Sequence, residues 1–250
     1  MFRYGLLVLS PSCIKAKIPA LLKQVSKEVK EVLYVDIYEP DYVCHHVRSL
    51  YELLVDVYGN NSSRTGQLDV RVLLPRTLTT NNKSEEVRQL FKKPEVAFVR
   101  DVFGQDPSKD VGLLKFKQWM TRRFELSDLD RKLRYLKVEE ERIDDGSASK
   151  QRCLDINGAC LQTYKEIVLG GTFDHMHSGH RLLLAVASLI CDKRITVGLS
   201  EGPLLKRKIL KELIEPFEDR KRKLEEFIDD VKPGIVFSCT VQLHVHNNLR

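Results

Sequence analysis

The sequence predicts an α/β protein built on parallel β-sheet and arranged in two successive regions. Three observations carry that expectation. Short apolar runs alternate with longer amphipathic stretches, first from Tyr4 to Leu126 and again from Glu166 to Ser238, which is the pattern of strands joined by helical crossovers. A charged segment with glycine and serine, Glu139 to Lys150, separates the two stretches and reads as a linker. The second region opens with a strand, a glycine pair, a histidine cluster and a helix in immediate succession, Ile167 to Ala187. The resulting division is an α/β region over 1–138, a linker over 139–163 and a second α/β unit over 164–250.

In the first region, Tyr4–Leu9 reads as a buried strand and Ile18–Val29 as an amphipathic helix. Leu33–Tyr38 is a second strand, His46–Val57 a second helix, and Asn60–Gly66 a loop by composition. Leu68–Leu74 alternates as a strand does, Val96–Val99 is a further short apolar run, and Leu113–Leu126 reads as a helix. No motif in this region attaches to chemistry, and a regulatory or docking role is one reading of it.

In the second region, Glu166–Leu169 is a strand and Gly179–Asp192 a helix. Arg194–Leu199 is the next strand, with Ile195, Val197 and Leu199 on one face. Pro216–Val231 is a helix with proline in its first turn, and Phe217, Leu224, Phe227, Ile228 and Val231 recur on one side of it. Gly234–Ser238 completes a strand–helix–strand–helix–strand series. Such a series forms a parallel sheet with right-handed crossovers, and ligands bind at the carboxyl ends of its strands.

Composition narrows the class of protein. The chain of 250 residues is 42% hydrophobic and 30% charged, as a globular protein is, and its 41 Lys+Arg against 35 Asp+Glu give a formal charge of +6. That mild excess suits anionic small molecules, but also RNA or a membrane surface, and is too diffuse to choose between them. Taken with the motifs of the second region, no nucleic-acid partner is expected. The six cysteines form no C-x-x-C pair and read as reduced thiols. No apolar run is long enough to span a membrane. Residues Met1 to Lys27 lack acidic side chains and carry Arg3, Lys15, Lys17, Lys23 and Lys27. The segment therefore supports a targeting role as well as a buried strand and helix, and the expected compartment is cytoplasmic or mitochondrial.

The candidate chemistry lies in Gly170-Gly171-Thr172-Phe173-Asp174-His175-Met176-His177-Ser178-Gly179-His180. Glycines let backbone N–H groups approach an anion, and the positive end of the following helix points at it. His177 and His180 then stand where phosphate oxygens would lie. Zn²⁺ binding by His175, His177 and His180 is a weaker alternative, because only Asp174 is at hand to complete a site. Ordinary polar residues at a helix start are another. The basic cluster Lys206, Arg207, Lys208 and Lys211 is either a solvated loop or a phosphate neutraliser. Arg220-Lys221-Arg222-Lys223 reads as a solvated helix face balanced by Glu218, Glu225, Glu226 and Asp229. His45-His46 and His244-Val245-His246 have no supporting pattern, and no G-x-x-x-x-G-K-[ST] loop occurs.

With its His177-Ser178-Gly179-His180 signature and the preceding Gly-Gly-Thr-Phe-Asp turn, the second region resembles the T/H-x-G-H nucleotidyltransferases. From Gly170 to about Phe237 it is most similar to the phosphopantetheine adenylyltransferases of the bifunctional coenzyme A synthase family, whose N-terminal domain the first region also resembles. The resemblance implies a Rossmann-like nucleotidyltransferase fold and transfer of AMP from ATP, with Mg²⁺, to 4′-phosphopantetheine. It implies that His180 stabilises the α-phosphoryl oxygens, that His177 contacts other phosphate oxygens, and that Thr172 places the attacking phosphate. Lys206 or Lys208 would neutralise phosphate, spacing not choosing between them. Gly170, Gly171, Phe173 and Gly179 would line the nucleotide site, with no resident protein-bound metal.

The family's second half-domain and its P-loop kinase have no counterpart here, and from Thr240 onward the similarity is expected to fade. The expectation is a truncated sheet and weak or absent activity. Other acceptors of the same fold (nicotinamide mononucleotide, phosphocholine, phosphoethanolamine) and a non-catalytic regulatory role remain as alternatives.

Overall fold

The computed structural model describes residues 1–9, 18–38, 47–59, 68–75, 87–99, 111–126, 129–136, 162–206 and 208–242. The expected loop at 60–66, nearly all of the linker, His45, His46, Arg207, the His244–His246 pair and four of the six cysteines lie outside them.

The N-terminal unit is a five-stranded, wholly parallel sheet in the order β3-β2-β1-β4-β5. Its elements are β1 (Phe2–Leu9), α1 (Ile18–Val25), β2 (Val29–Ile37), α2 (Val47–Gly59), β3 (Asp69–Val72), β4 (Val96–Val99), α3 (Val111–Phe124), α4 (Leu129–Lys132) and β5 (Leu133–Tyr135). Successive side chains of a strand enter opposite cores. Leu7 and Leu9 pack with α1 and α2, while Leu6 and Val8 pack with Phe116, Met120 and Phe124 of α3. Both faces being covered, β4 is apolar throughout, as parallel sheets tend to be. The expected first helix ends early, at Val25, because Val29 already pairs with Phe2 in the sheet. The short α4 and β5 carry too few residues to show a period, and sequence reading passes over them.

The C-terminal unit is a three-stranded parallel sheet in the order β6-β7-β8, formed by β6 (Tyr164–Gly171), β7 (Cys191–Ser200) and β8 (Val236–Gln242). Its crossovers are α5 (Ser178–Ile190) and α7 (Phe217–Val231), with a short helix α6 (Pro203–Lys206) and a 3₁₀ turn (Lys211–Leu213) before α7. Ile167, Leu169, Ile195, Val197, Leu199, Phe237 and Cys239 pack beneath α5 and α7. The opposite face carries Val168, which is 76% exposed, and a Thr196–Ser238 hydroxyl pair at 3.0 Å. The two helices are tied at their far ends by Lys232, whose buried Nζ donates to the carbonyls of Ser188 and Cys191, where the negative end of α5 favours a cation.

The two units share one apolar cluster, with Leu53, Leu54 and Val57 of α2 in the same core as Leu184 and Ala185 of α5. Strand β3 reaches α7 directly, and the Leu74 N–H donates to the Val231 carbonyl at 2.8 Å.

Candidate active site

The glycine pair closes β6 instead of forming the turn that follows it. Gly170 and Gly171 pair in register with Gly198 and Leu199 of β7. Gly171 is required by a close approach: a Cβ there would meet the Phe173 ring at 3.0 Å. The turn itself is strained. Phe173 and His175 both adopt left-handed backbone, with φ of 48° and 43°, a conformation that costs a non-glycine residue about 1–2 kcal/mol. Two contacts hold it. The Phe173 ring is only 1% exposed, and the Asp174 carboxylate accepts the Glu215 N–H at 2.9 Å. Burial pushes the Asp174 carboxyl up, but that bond and His175 Nδ1, 2.9 Å away, bring it below its ordinary range.

His177 is the N-cap of α5. Its backbone is extended, and its Nδ1 accepts the His180 N–H at 3.4 Å, which leaves the ring proton on Nε2. Gly179 makes room for this, since a Cβ there would lie 3.1 Å from the His177 ring. The two histidine rings stack with centroids 3.8 Å apart, and Phe173 supports His180 from behind at 5.0 Å. His180 Nδ1 is buried without a partner, so Nε2 is the nitrogen open to a ligand. Burial, then His177 and Arg181, lower the His180 imidazole to about 4. It is therefore neutral near pH 7, a form in which one ring nitrogen can donate a hydrogen bond without carrying charge.

Thr172 sits at the carboxyl end of the strand, and its hydroxyl accepts from Lys208 Nζ. Spacing alone does not choose between Lys206 and Lys208. The tertiary contact brings Lys208 to Thr172, whereas Lys206 is exposed at the end of α6. Phe173, expected at the ligand site, has a buried side chain whose ring packs against that of His180.

The solvated basic face expected on α7 needs a larger correction. Arg222 does pair within the helix, with the anticipated Glu226 at 3.4 Å and also with Asp219 at 2.9 Å, and Lys223 pairs with Glu215. Arg220, however, is only 1% exposed. Its guanidinium donates to the carbonyls of Glu215 at 2.8 Å, Thr172 at 2.7 Å and Ser200 at 3.2 Å. It thus joins the carboxyl ends of β6 and β7 and places a positive charge directly beneath the glycine–threonine turn. The one legible signal for it is position: Arg220 shares the buried side of α7 with Leu224, Phe227 and Ile228 at helical spacing.

Asp174, His175 and Glu215 bring ligand atoms within 4.8 Å of one another. The three already clasp the turn through Asp174–His175, Glu215 N–H to Asp174, and Lys223 to Glu215. Among the described residues, the group whose ligand atoms converge is this one and not the three histidines of the Zn²⁺ alternative.

The second region is similar to known proteins. Residues 168–247 match the cytidylyltransferase-like family model, further along the chain than the expected fading at Thr240. The phosphopantetheine adenylyltransferase of Saccharomyces cerevisiae is 46% identical over 67 residues, 27% of this chain and 22% of that protein. The phosphopantetheine adenylyltransferases of Methanopyrus kandleri and Pyrococcus horikoshii are 37% and 38% identical, each over 28% of this chain and 43% of their own length. The matched stretches thus span less than half the length of these curated relatives. No solved structure matches the chain. Among the described residues, no helix is long and apolar enough to cross a membrane. With parallel sheets and a histidine-capped helix after the glycine strand, the C-terminal unit has an α/β fold consistent with the Rossmann-like nucleotidyltransferases, and over residues 168–247 it is similar to the cytidylyltransferase-like family.

Proposed function

We propose that this chain transfers an adenylyl group from ATP to the phosphate of 4′-phosphopantetheine, releasing pyrophosphate and forming dephospho-coenzyme A, a step in coenzyme A assembly. The observation that carries this reading is the convergence of His177, His180, Thr172 and Lys208 around the start of α5, at the carboxyl end of β6. The relatives named phosphopantetheine adenylyltransferase support the choice of acceptor.

A phosphate oxygen of the acceptor attacks the α-phosphorus of ATP, a new P–O bond forms, and the bond from that phosphorus to the bridging oxygen of the β-phosphate breaks. The protein supplies no nucleophile, so catalysis rests on position and on stabilising charge. Neutral His180 donates from Nε2 to a non-bridging α-phosphoryl oxygen, where charge builds up. His177 Nε2 and the first N–H groups of α5 bind neighbouring oxygens. Lys208 and Thr172 hold the attacking phosphate, with the Arg220 charge beneath them. Mg²⁺ arriving with ATP would supply neutralisation of the leaving pyrophosphate. Asp174 and Glu215 are held by the contacts within the turn, so the site fits an ion carried by phosphates more than one caged by protein.

The test is pyrophosphate release from the chain with ATP, Mg²⁺ and 4′-phosphopantetheine. Release is expected, and His180→Ala should lower it by about 10²–10³-fold. No release with this acceptor, but release with nicotinamide mononucleotide, phosphocholine or phosphoethanolamine, would redirect the reading. No release with any of them would end it.

A further inference from the structure

The residue after His180 is held by the other unit. Arg181 Nε lies 2.8 Å from Asp69 Oδ1 of β3, an ion pair that is not aligned as a hydrogen bond, and both side chains are largely buried, at 18% and 21% exposure. The second oxygen of Asp69 accepts from Arg71 Nε at 3.0 Å and Nη2 at 2.7 Å. Arg71 continues to the buried Asp230 carboxylate of α7 and to the Glu226 carbonyl at 3.2 Å. Asp230 also accepts from Tyr34 Oη at 3.0 Å and the Phe91 N–H at 2.7 Å. The result is an unbroken line, Arg181–Asp69–Arg71–Asp230, in which the two middle members belong to the N-terminal unit and the ends belong to α5 and α7.

Those two helices carry the candidate site. Helix α5 bears His177 and His180, and the Arg181 N–H closes its first turn on the His177 carbonyl at 3.1 Å. Helix α7 bears Arg220, which gathers the carbonyls of Thr172 and Ser200. Burial acts against the Arg71 charge, but Asp69 and Asp230 outweigh it and hold the guanidinium protonated. Burial raises the Asp230 carboxyl, with Arg71, the Phe91 N–H and Tyr34 acting the other way. Such a network is costly when one member is removed, because the remaining charges stay buried.

We propose that Asp69 is a positioning residue for the histidine site, setting the place of α5 through Arg181 and of α7 through Arg71, so that the N-terminal unit controls the geometry around His180. This rests on the reading of that site as a phosphate site. The role differs from a simple charge effect in sign. Asp69 is an anion near an anion site, so its neutralisation by electrostatics alone would tighten phosphate binding. Loss of positioning weakens it.

The experiment uses the full chain as wild type, Asp69→Asn, Asp69→Glu, His180→Gln and, as a surface control, Arg3→Ala. Inorganic pyrophosphate binding is measured by calorimetry, the His180 ring signal by NMR (assigned by its loss in His180→Gln), and folding by thermal melting. Asp69→Asn should weaken pyrophosphate binding by about three- to tenfold and displace the His180 signal. Asp69→Glu should recover part of both, and Arg3→Ala neither. An unmoved His180 signal in folded Asp69→Asn, or unchanged or tighter pyrophosphate binding, overturns the proposal. Should Asp69→Asn fail to fold, Asp69→Glu decides: a His180 signal identical to wild type overturns it. Wild-type chain that binds no pyrophosphate, or binds it equally in His180→Gln, refutes the phosphate-site reading instead, and the NMR arm still judges the coupling.

Discussion

The two sheets of this molecule are built to different standards of burial. In the N-terminal unit Leu6 to Leu9 and all of β4 are buried, because helices cover both faces. In the C-terminal unit α5 and α7 cover one face only, and β6 alternates between half-buried and exposed residues, with Val168 open to solvent. The less buried unit carries the candidate chemistry, and the better buried one carries none that the sequence reveals. The contrast teaches a division of labour. A strained turn with two left-handed residues and an unpartnered buried histidine nitrogen is costly, and a well-packed neighbour that grips the helices on either side can offset that cost.

The strongest way to break the comparison is to damage the stable half. Phe98 is fully buried at the centre of β4, and Phe98→Ala should cost about 3–5 kcal/mol. If the N-terminal unit supports the other, calorimetry will show one transition shifted as a whole. Two separated transitions, the C-terminal one unmoved, would show independent units. Next in size is Arg220→Met, which strips three carbonyls of their donor and should cost roughly 2–4 kcal/mol. It should also lower adenylyl transfer at temperatures where circular dichroism still reports a folded chain.

Lys208→Ala sharpens the comparison inside the C-terminal unit. It should raise the KM for the phosphate acceptor by about tenfold, in keeping with a hydrogen bond from a charged donor, while Lys206→Ala changes it by less than about twofold. Equal effects would mean that the Thr172–Lys208 contact has no special role. Acid gives a further test. The His180 imidazole is lowered to about 4 from an ordinary 6.5, so between those values the unfolded chain binds the proton and the folded chain does not. Stability from this group is complete above about pH 6.5 and falls as pH drops toward 4. In His180→Gln the melting temperature should fall less across that window than in wild type.

Much of the fold was legible because it is written locally. Alternating apolar runs placed all three C-terminal strands and both crossover helices, and order along the chain implied their parallel pairing. The glycine–histidine stretch was legible too, since capping by His177 and the packing of Gly179 against its ring involve neighbours a few residues apart. The strand boundary is not legible locally: Gly170 and Gly171 read as a turn, but β7 supplies partners that keep them in the sheet. That the Phe173 ring packs against His180 is visible only in the folded structure.

Sequence by itself determined the α/β class, the strand–turn–helix that presents His177 and His180, and the likeness to nucleotidyltransferases, because each depends on period or on adjacent residues. Tertiary structure alone decided that Lys208 meets Thr172 across 36 residues, that Arg220 is buried beneath the turn 48 residues away, and that Asp69 of the first unit grips Arg181 of the second. The reason is physical. A charged side chain in a basic run looks the same whether solvent or a set of carbonyls surrounds it, and only the folded packing of α5, α7 and β3 determines which of these it meets.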